Sequence, residues 1–158
     1  MRVGIGCDIH TLVSGRRLVL GGVHIPFDKG LLGHSDADVL VHAIIDALLG
    51  ASGLKDIGTY YSSEDQRYRD ISSLTLLTET GKLIKDKGIV VSNIDSTVVA
   101  QQPKLSSFID DMRAQIAGSL RIAIDNVMVK ATSTDGIGFV GRGEGIAAFA
   151  VALVEVVK

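Results

Sequence analysis

Ser35-Asp36-Ala37-Asp38-Val39-Leu40-Val41-His42-Ala43-Ile44-Ile45-Asp46-Ala47-Leu48-Leu49-Gly50 is the stretch at which the spacing of apolar side chains changes. Val39, Leu40, Ala43, Ile44, Ala47 and Leu48 recur every three or four residues. That spacing makes one stripe of a helix, ending near Gly50 or Gly53. Upstream the pattern belongs to strands. Residues 2–9 alternate small and apolar side chains, and Arg17 to Leu20 and Val23 to Ile25 flank Gly21-Gly22, a two-residue hairpin signal. Downstream, residues 62–70 are polar and aperiodic and read as an exposed loop. A second helix is expected from about Ser73 to Lys87, a strand from Ile89 to Ala100, a third helix from Leu105 to about Ser119, and a strand from Asn126 to Thr132. Ile146 to Val157 mixes valines with alanines and is assigned to a strand. The order β-ββ-α-α-β-α-β-β describes an α+β fold, a mixed sheet with helices on one face. Val127-Met128-Val129 and Ala148 to Val154 alternate only weakly, so the other face is expected to be apolar too. A sheet of that kind needs a neighbour, and a homo-oligomer is predicted.

The 158 residues fit one domain, 1–158, with no linker, repeat or low-complexity tract. With 16 basic and 18 acidic residues the formal charge is −2, which argues against a nucleic-acid polymer as partner, since that needs a basic face. Cys7 is the only cysteine, so no intrachain disulfide forms, and a reducing compartment fits. No apolar run reaches the roughly 20 residues that span a bilayer. The opening Met1-Arg2-Val3-Gly4 leads straight into strand-like sequence, and no leader is expected. These features point to the cytoplasm, or to a plastid if the source is a plant and a leader has been removed.

Asp8-Ile9-His10 places an oxygen and an imidazole at i and i+2, on one face of a strand. Such a pair suits zinc or a similar divalent ion, although an Asp-x-His is more often hydrogen-bonded surface. His42 lies on the first helix with Asp38 and Asp46 four residues to either side. Either carboxylate would accept the second ring N–H of a metal-bound histidine, or the three would be a charged helix face. Three protein ligands and an open fourth position describe a catalytic zinc site. Ser35, in Gly33-His34-Ser35-Asp36, can cap the helix with Asp38 three residues on. The free N–H groups there also form an anion site to which His34 can add a donor. Lys130-Ala131-Thr132-Ser133-Thr134-Asp135 leaves a strand into a hydroxyl-rich loop. The loop is either a plain turn or a set of phosphate donors, with Asp135 as an oxygen ligand for magnesium. Gly136-Ile137-Gly138-Phe139-Val140-Gly141 spells G-x-G-x-x-G, but Gly143 and Gly145 argue against the helix that a dinucleotide fold requires. Cys7 lacks a base partner and reads as a small apolar filler. Arg142 can hold a diphosphate or an ion pair.

Taken in order, these motifs resemble the 2-C-methyl-D-erythritol 2,4-cyclodiphosphate synthase family over essentially the whole chain. The resemblance rests on Asp8-Ile9-His10, Gly33-His34-Ser35-Asp36, His42, Asp56-Ile57-Gly58, Ala100-Gln101 with Pro103-Lys104, and Gly138-Phe139 with Gly141 to Gly145. It implies a metal-dependent phosphorus–oxygen lyase of non-mevalonate isoprenoid biosynthesis. In that family 4-diphosphocytidyl-2-C-methyl-D-erythritol 2-phosphate closes on itself: the 2-phosphate attacks the β-phosphorus and CMP leaves. By resemblance, Asp8, His10 and His42 would hold zinc or another divalent ion, and Asp135 a magnesium or manganese between the diphosphate groups. His34 and Ser133 would donate to phosphates as charge shifts. Ser35 and the loop Tyr61, Ser62, Ser63, Glu64, Asp65 would line the substrate, and Asp56, Ile57 and Gly58 would meet sugar or erythritol hydroxyls. Ala100, Gln101, Gln102, Pro103, Lys104, Leu105 and Ser106 would receive cytosine, with Thr132 and Thr134 nearby. The family is a homotrimer packed through its sheets, with active sites between subunits. Phe139 and Arg142 would line a central cavity that takes isoprenoid diphosphates.

The chain departs from the family pattern where Tyr61-Ser62-Ser63-Glu64-Asp65 replaces a Phe-Pro-acid-x-Asp loop, where Asp135 replaces Glu, and where Ser133 replaces Thr. Ser62 in place of proline frees the backbone. Two other classes compete with the lyase reading. One is a zinc phosphohydrolase, which lacks a convincing water base here. The other is a trimeric binding module for isoprenoid diphosphates, which has no need of an open metal site.

Overall fold

The computed structural model describes residues 1–157. Seven strands appear in chain order: β1 (Arg2–Ser14), β2 (Leu18–Leu20), β3 (Val23–Ile25), β4 (Lys29–Leu31), β5 (Ile89–Val99), β6 (Val127–Thr132) and β7 (Gly145–Val156). The helices are α1 (Val39–Ala51), α2 (Ile57–Tyr60), α3 (Ser73–Asp86), α4 (Ile109–Leu120) and α5 (Gly138–Gly141). The main sheet runs β4-β1-β7-β5-β6, and β2 and β3 form a separate hairpin. β7 pairs antiparallel with both β1 and β5, while β6 lies parallel to β5 after the α4 crossover. Gly21 and Gly22 make the hairpin turn at φ 59° and 76°, the two left-handed positions that the tightest hairpin turns require.

The expected α+β arrangement and mixed sheet are both present. Three differences are informative. β1 runs on to Ser14 because, beyond its pairing with β7, Leu12, Val13 and Ser14 pair with β4. The third helix starts at Ile109, after a separate 3₁₀ turn at Ser106–Phe108. The glycine-rich stretch does hold a helix, α5, but only one of four residues.

α1 is held against the sheet by the absence of side chains beneath it. A methyl group on Gly6 would overlap the Ala43 carbonyl, and one on Gly4 would overlap that of Ala47. The helix backbone therefore lies directly on β1, running antiparallel to it, and Ile44, Ile45, Leu48 and Leu49 are fully buried around that seam. Gly4, Gly6, Asp8 and His10 share one face of β1, so the seam that seats Ala43 on Gly6 carries His42 toward Asp8 and His10. The opposite face is apolar and open: Val3, Ile5, Ile9, Phe149 and Val151 are exposed, Ile5 by 73%.

Candidate active site

Asp8, His10 and His42 each offer one donor atom to a common point. His42 Nδ1 lies 3.0 Å from Asp8 Oδ2 and 3.3 Å from His10 Nε2, and His10 Nε2 is 2.9 Å from Asp8 Oδ2. Four ligands about 2.0–2.1 Å from a tetrahedral ion stand about 3.3 Å apart, so the three donors fit such an ion with little movement. His10 Nδ1 is 2.6 Å from the Leu32 carbonyl. A carbonyl can only accept, so that nitrogen carries a proton; the charged ring donates to Asp8 from Nε2, and the neutral ring presents an Nε2 lone pair to the cluster. Burial works against the charge on Asp8, but hydrogen bonds and charges from His10 and His42 outweigh it and hold the carboxyl well below the usual carboxylate range. Burial also pulls His10 down, and the Asp8 carboxylate, with the Leu32 carbonyl, overcomes it and raises the ring above the ordinary imidazole value. All three side chains keep some exposure, between 12% and 27%. The set is therefore open on one side, as a site that must admit a ligand needs to be. Among the described residues it is the one group of three or more such donors within reach of one ion.

The neighbours of His42 differ from those expected. Asp38 is the α1 N-cap and accepts from Val41 N at 3.1 Å, while Gly21 N and Gly22 N also donate to it. Ser35 does not cap the helix; its hydroxyl accepts from Ala37 N and lies 3.1 Å from His42 Nε2. Asp46 accepts from Ile57 N at 2.7 Å, which docks α2 on α1. Neither carboxylate touches His42 Nε2. Its second neighbour is the Ser73 hydroxyl, at 2.9 Å, a residue for which the local sequence gives only a helix start.

Around this cluster, His34 Nε2 donates to the Asp65 carbonyl at 3.0 Å and ties the 61–65 loop to the segment before α1. Tyr61 bonds to Thr80, and Ser62 Oγ accepts from Glu64 N. Ser63 and Glu64 share this loop, in which Asp65 pairs with Arg67. Asp56 caps α2 through Thr59 N and Oγ1, with Gly58 in the first turn.

A second concavity, a cleft of about 520 Å³, is lined by residues 100–106 together with Ile109, Ala131, Thr132 and Ser133. Its loop begins where β5 ends, with a cis bond between Gln102 and Pro103. Ser133 donates to Asp135, Thr134 donates to the Ile137 carbonyl, and Gln101 accepts from Gly136 N. In register, Ile9 faces Ala147, Ala147 faces Val99 and Val99 faces Thr132. The cleft and the His10 end of the metal set thus share one end of the sheet, three strand spacings apart, or roughly 14 Å. Asp135 does not join the Asp8, His10 and His42 donors. Arg142 makes a two-pronged ion pair with Glu144, at 2.8 and 3.1 Å, beside the partly exposed Phe139.

The sequence model of the YgbB family matches residues 1–155. A Pelotomaculum thermopropionicum protein named 2-C-methyl-D-erythritol 2,4-cyclodiphosphate synthase is 62% identical over 155 residues, covering 98% of this chain and 96% of the relative. Among solved structures, the bifunctional IspDF of Campylobacter jejuni matches with a TM-score of 0.95 and 39% identity over 98% of this chain, which spans 42% of that longer one. The Plasmodium falciparum IspF–CDP complex matches with a TM-score of 0.87 and 32% identity, covering 99% of this chain and 97% of that one.

Proposed function

This chain belongs to the YgbB family, and on that premise we propose how its own residues carry the cyclisation that the family performs. The protein converts 4-diphosphocytidyl-2-C-methyl-D-erythritol 2-phosphate to 2-C-methyl-D-erythritol 2,4-cyclodiphosphate and releases CMP. An oxygen of the 2-phosphate bonds to the β-phosphorus, and the bond from that phosphorus to the oxygen shared with the α-phosphate breaks. CMP departs with that oxygen. The nucleophile is already an anion, so no strong base is needed. The task is alignment and charge neutralisation.

The observation that carries this reading is the convergence of Asp8, His10 and His42 on one point, at the same end of the sheet as the 100–106 cleft. These three side chains would hold zinc or another divalent ion, and a metal bound there would withdraw charge from a diphosphate oxygen. Cytosine sits in the cleft against residues 100–106 and Thr132. Ser133 offers a hydroxyl to phosphate, and its present partner, Asp135, is exposed. A lone carboxylate of this kind suits magnesium or manganese, which is commonly held by one or two carboxylates plus substrate phosphates. His34 points one nitrogen at Asp65 and keeps the other for a phosphate oxygen. Asp56, at the head of α2, receives hydroxyls of the sugar or of the erythritol.

The active form we propose is a homotrimer packed through the open apolar face, with each site completed between subunits. Phe139 and Arg142 then face a shared cavity able to take an isoprenoid diphosphate. A cytoplasmic setting, or a plastid for a plant protein, suits a small polar substrate. No described helix is long and apolar enough to cross a membrane.

Phosphorus NMR of the protein with this substrate, zinc and magnesium tests the reading. CMP with a cyclic diphosphate, suppressed by a chelator, is the expected outcome. CMP with an open-chain product would replace it with a hydrolase, and unchanged substrate would favour a binding module.

A further inference from the structure

Ser73 has been given no part so far beyond its contact with His42, and Asp36 none, yet the hydrogen bonds around them run in one direction. The Asp36 carboxylate accepts twice from Ser73, from its backbone N–H at 3.0 Å and from its hydroxyl in a short bond. An ionised carboxylate has no proton to give, so the Ser73 hydroxyl must spend its hydrogen there. What remains on Ser73 Oγ toward His42 Nε2, 2.9 Å away, is a lone pair. The ring must therefore donate from Nε2, which leaves Nδ1 bare in the neutral imidazole.

Ser35 alone would not achieve this. Its oxygen already accepts from Ala37 N, and its hydroxyl hydrogen is free to point at His42 Nε2. In that arrangement the proton would sit on Nδ1 and be donated to Asp8 Oδ2, 3.0 Å away. The result would be a closed Asp–His pair with no lone pair left for an ion. The Asp8 carboxylate thus favours the Nδ1–H tautomer and Ser35, with a second lone pair free, accommodates either, while the buried Ser73, oriented by Asp36, favours the metal-competent one.

We propose that Ser73 and Asp36 are positioning residues for the metal centre: they fix the tautomer of His42 so that Nδ1 joins Asp8 and His10 as a ligand. The inference rests on the metal reading above. Asp36 also receives Asp38 N at 3.2 Å, and its own N–H donates to the Ile71 carbonyl. Through its N–H and its carboxylate together, Asp36 thereby ties Ile71 and Ser73 to the start of α1.

The test compares wild type, Ser73→Ala and Asp36→Asn by two readouts. One is nitrogen-15 NMR of the His42 ring in the metal-free protein near pH 8, which reports which nitrogen is protonated. The other is zinc affinity by chelator competition. The expected result is an Nε2–H ring in wild type and a mixed or Nδ1–H ring in Ser73→Ala, with zinc affinity lowered about 10–100-fold, the usual cost of losing a partner of a ligating histidine. Asp36→Asn keeps an acceptor for the Ser73 hydroxyl and should lie between the two. A Ser73→Ala protein that keeps the wild-type ring state, or whose zinc affinity stays within about twofold, overturns the proposal, because Ser73 then only begins α3. If the ring state depends on Ser73 while wild type binds no zinc, the tautomer control stands and the metal reading falls. Circular dichroism guards against misfolding, and Asp36→Asn supplies the decision if Ser73→Ala does not fold.

Discussion

Replacing His42 by alanine removes one of three converging donors. Turnover should fall below detection, while the unfolding free energy drops by no more than about 1–2 kcal/mol. Loss of the folded protein by circular dichroism would instead make the centre structural. Asp38 gives a second test at this scale. Burial, with the charge of Asp36 adding to it, pushes its carboxyl up to about 6 from an ordinary value of 3.8, against the pull of the Gly22, Val41 and Gly21 N–H groups. The folded state therefore favours the protonated form, and this contribution is full below about pH 4 and lost as pH rises through 6. Relative to Asp38→Asn, wild type should lose stability progressively as pH rises from about 4 through 6 in denaturant titrations. A parallel pH dependence in the two proteins would contradict it. Much of the site was legible at this scale, because Asp8 and His10 are two apart on a strand and His42 sits on an evident helix. The cap was misread for a physical reason. Ala37 adopts φ 58°, a left-handed turn that keeps Ser35 out of the helix, and the hairpin amides of Gly21 and Gly22 draw on Asp38 instead. Ser73 was invisible because its partner is 31 residues away.

Between elements, the contact of α1 with β1 decides whether the three donors meet. Gly6→Ala would force the helix off the strand, since the added methyl meets backbone and not a movable side chain. The expected cost is about 1–3 kcal/mol or more, and zinc affinity should fall with it, because His42 rides on the displaced helix. Stability lost with unchanged affinity would show that the seam does not position the ligand. The long elements were readable from their periods. The short ones were not: β4, α2 and α5 hold three or four residues each, too few for any period to register, and each is fixed by a contact made elsewhere. β4 borrows its partner from the end of β1, and α2 hangs from Asp46. The shift in register between Val91 and Asn93 falls at Ser92, where polar residues interrupt the strand's apolar start.

For the whole molecule, the open apolar face is where the sequence and the proposed trimer meet. Phe149→Glu puts a charge at its centre and should yield a folded protein sedimenting as a monomer with most of its activity gone. An unchanged mass would place any interface elsewhere, and a wild type that sediments as a monomer would remove the trimer altogether. The weak alternation of β7 made this face legible, but not which copies cover it, because symmetry is a property of the assembly and leaves no pattern along one strand. The place of β7 in the sheet has another consequence, one that concerns time. It is the last of the seven strands in chain order, yet it lies in the middle, and β1 and β5 meet only through it. At a synthesis rate of about 5–20 residues per second, β1 waits on the order of ten seconds before its central partner emerges. Until then the nascent chain has two half-sheets, each with an open edge where β7 belongs, one along β1 and one along β5. A ribosome stalled before residue 145 would therefore display a chain that cannot close, however well its first helix has formed.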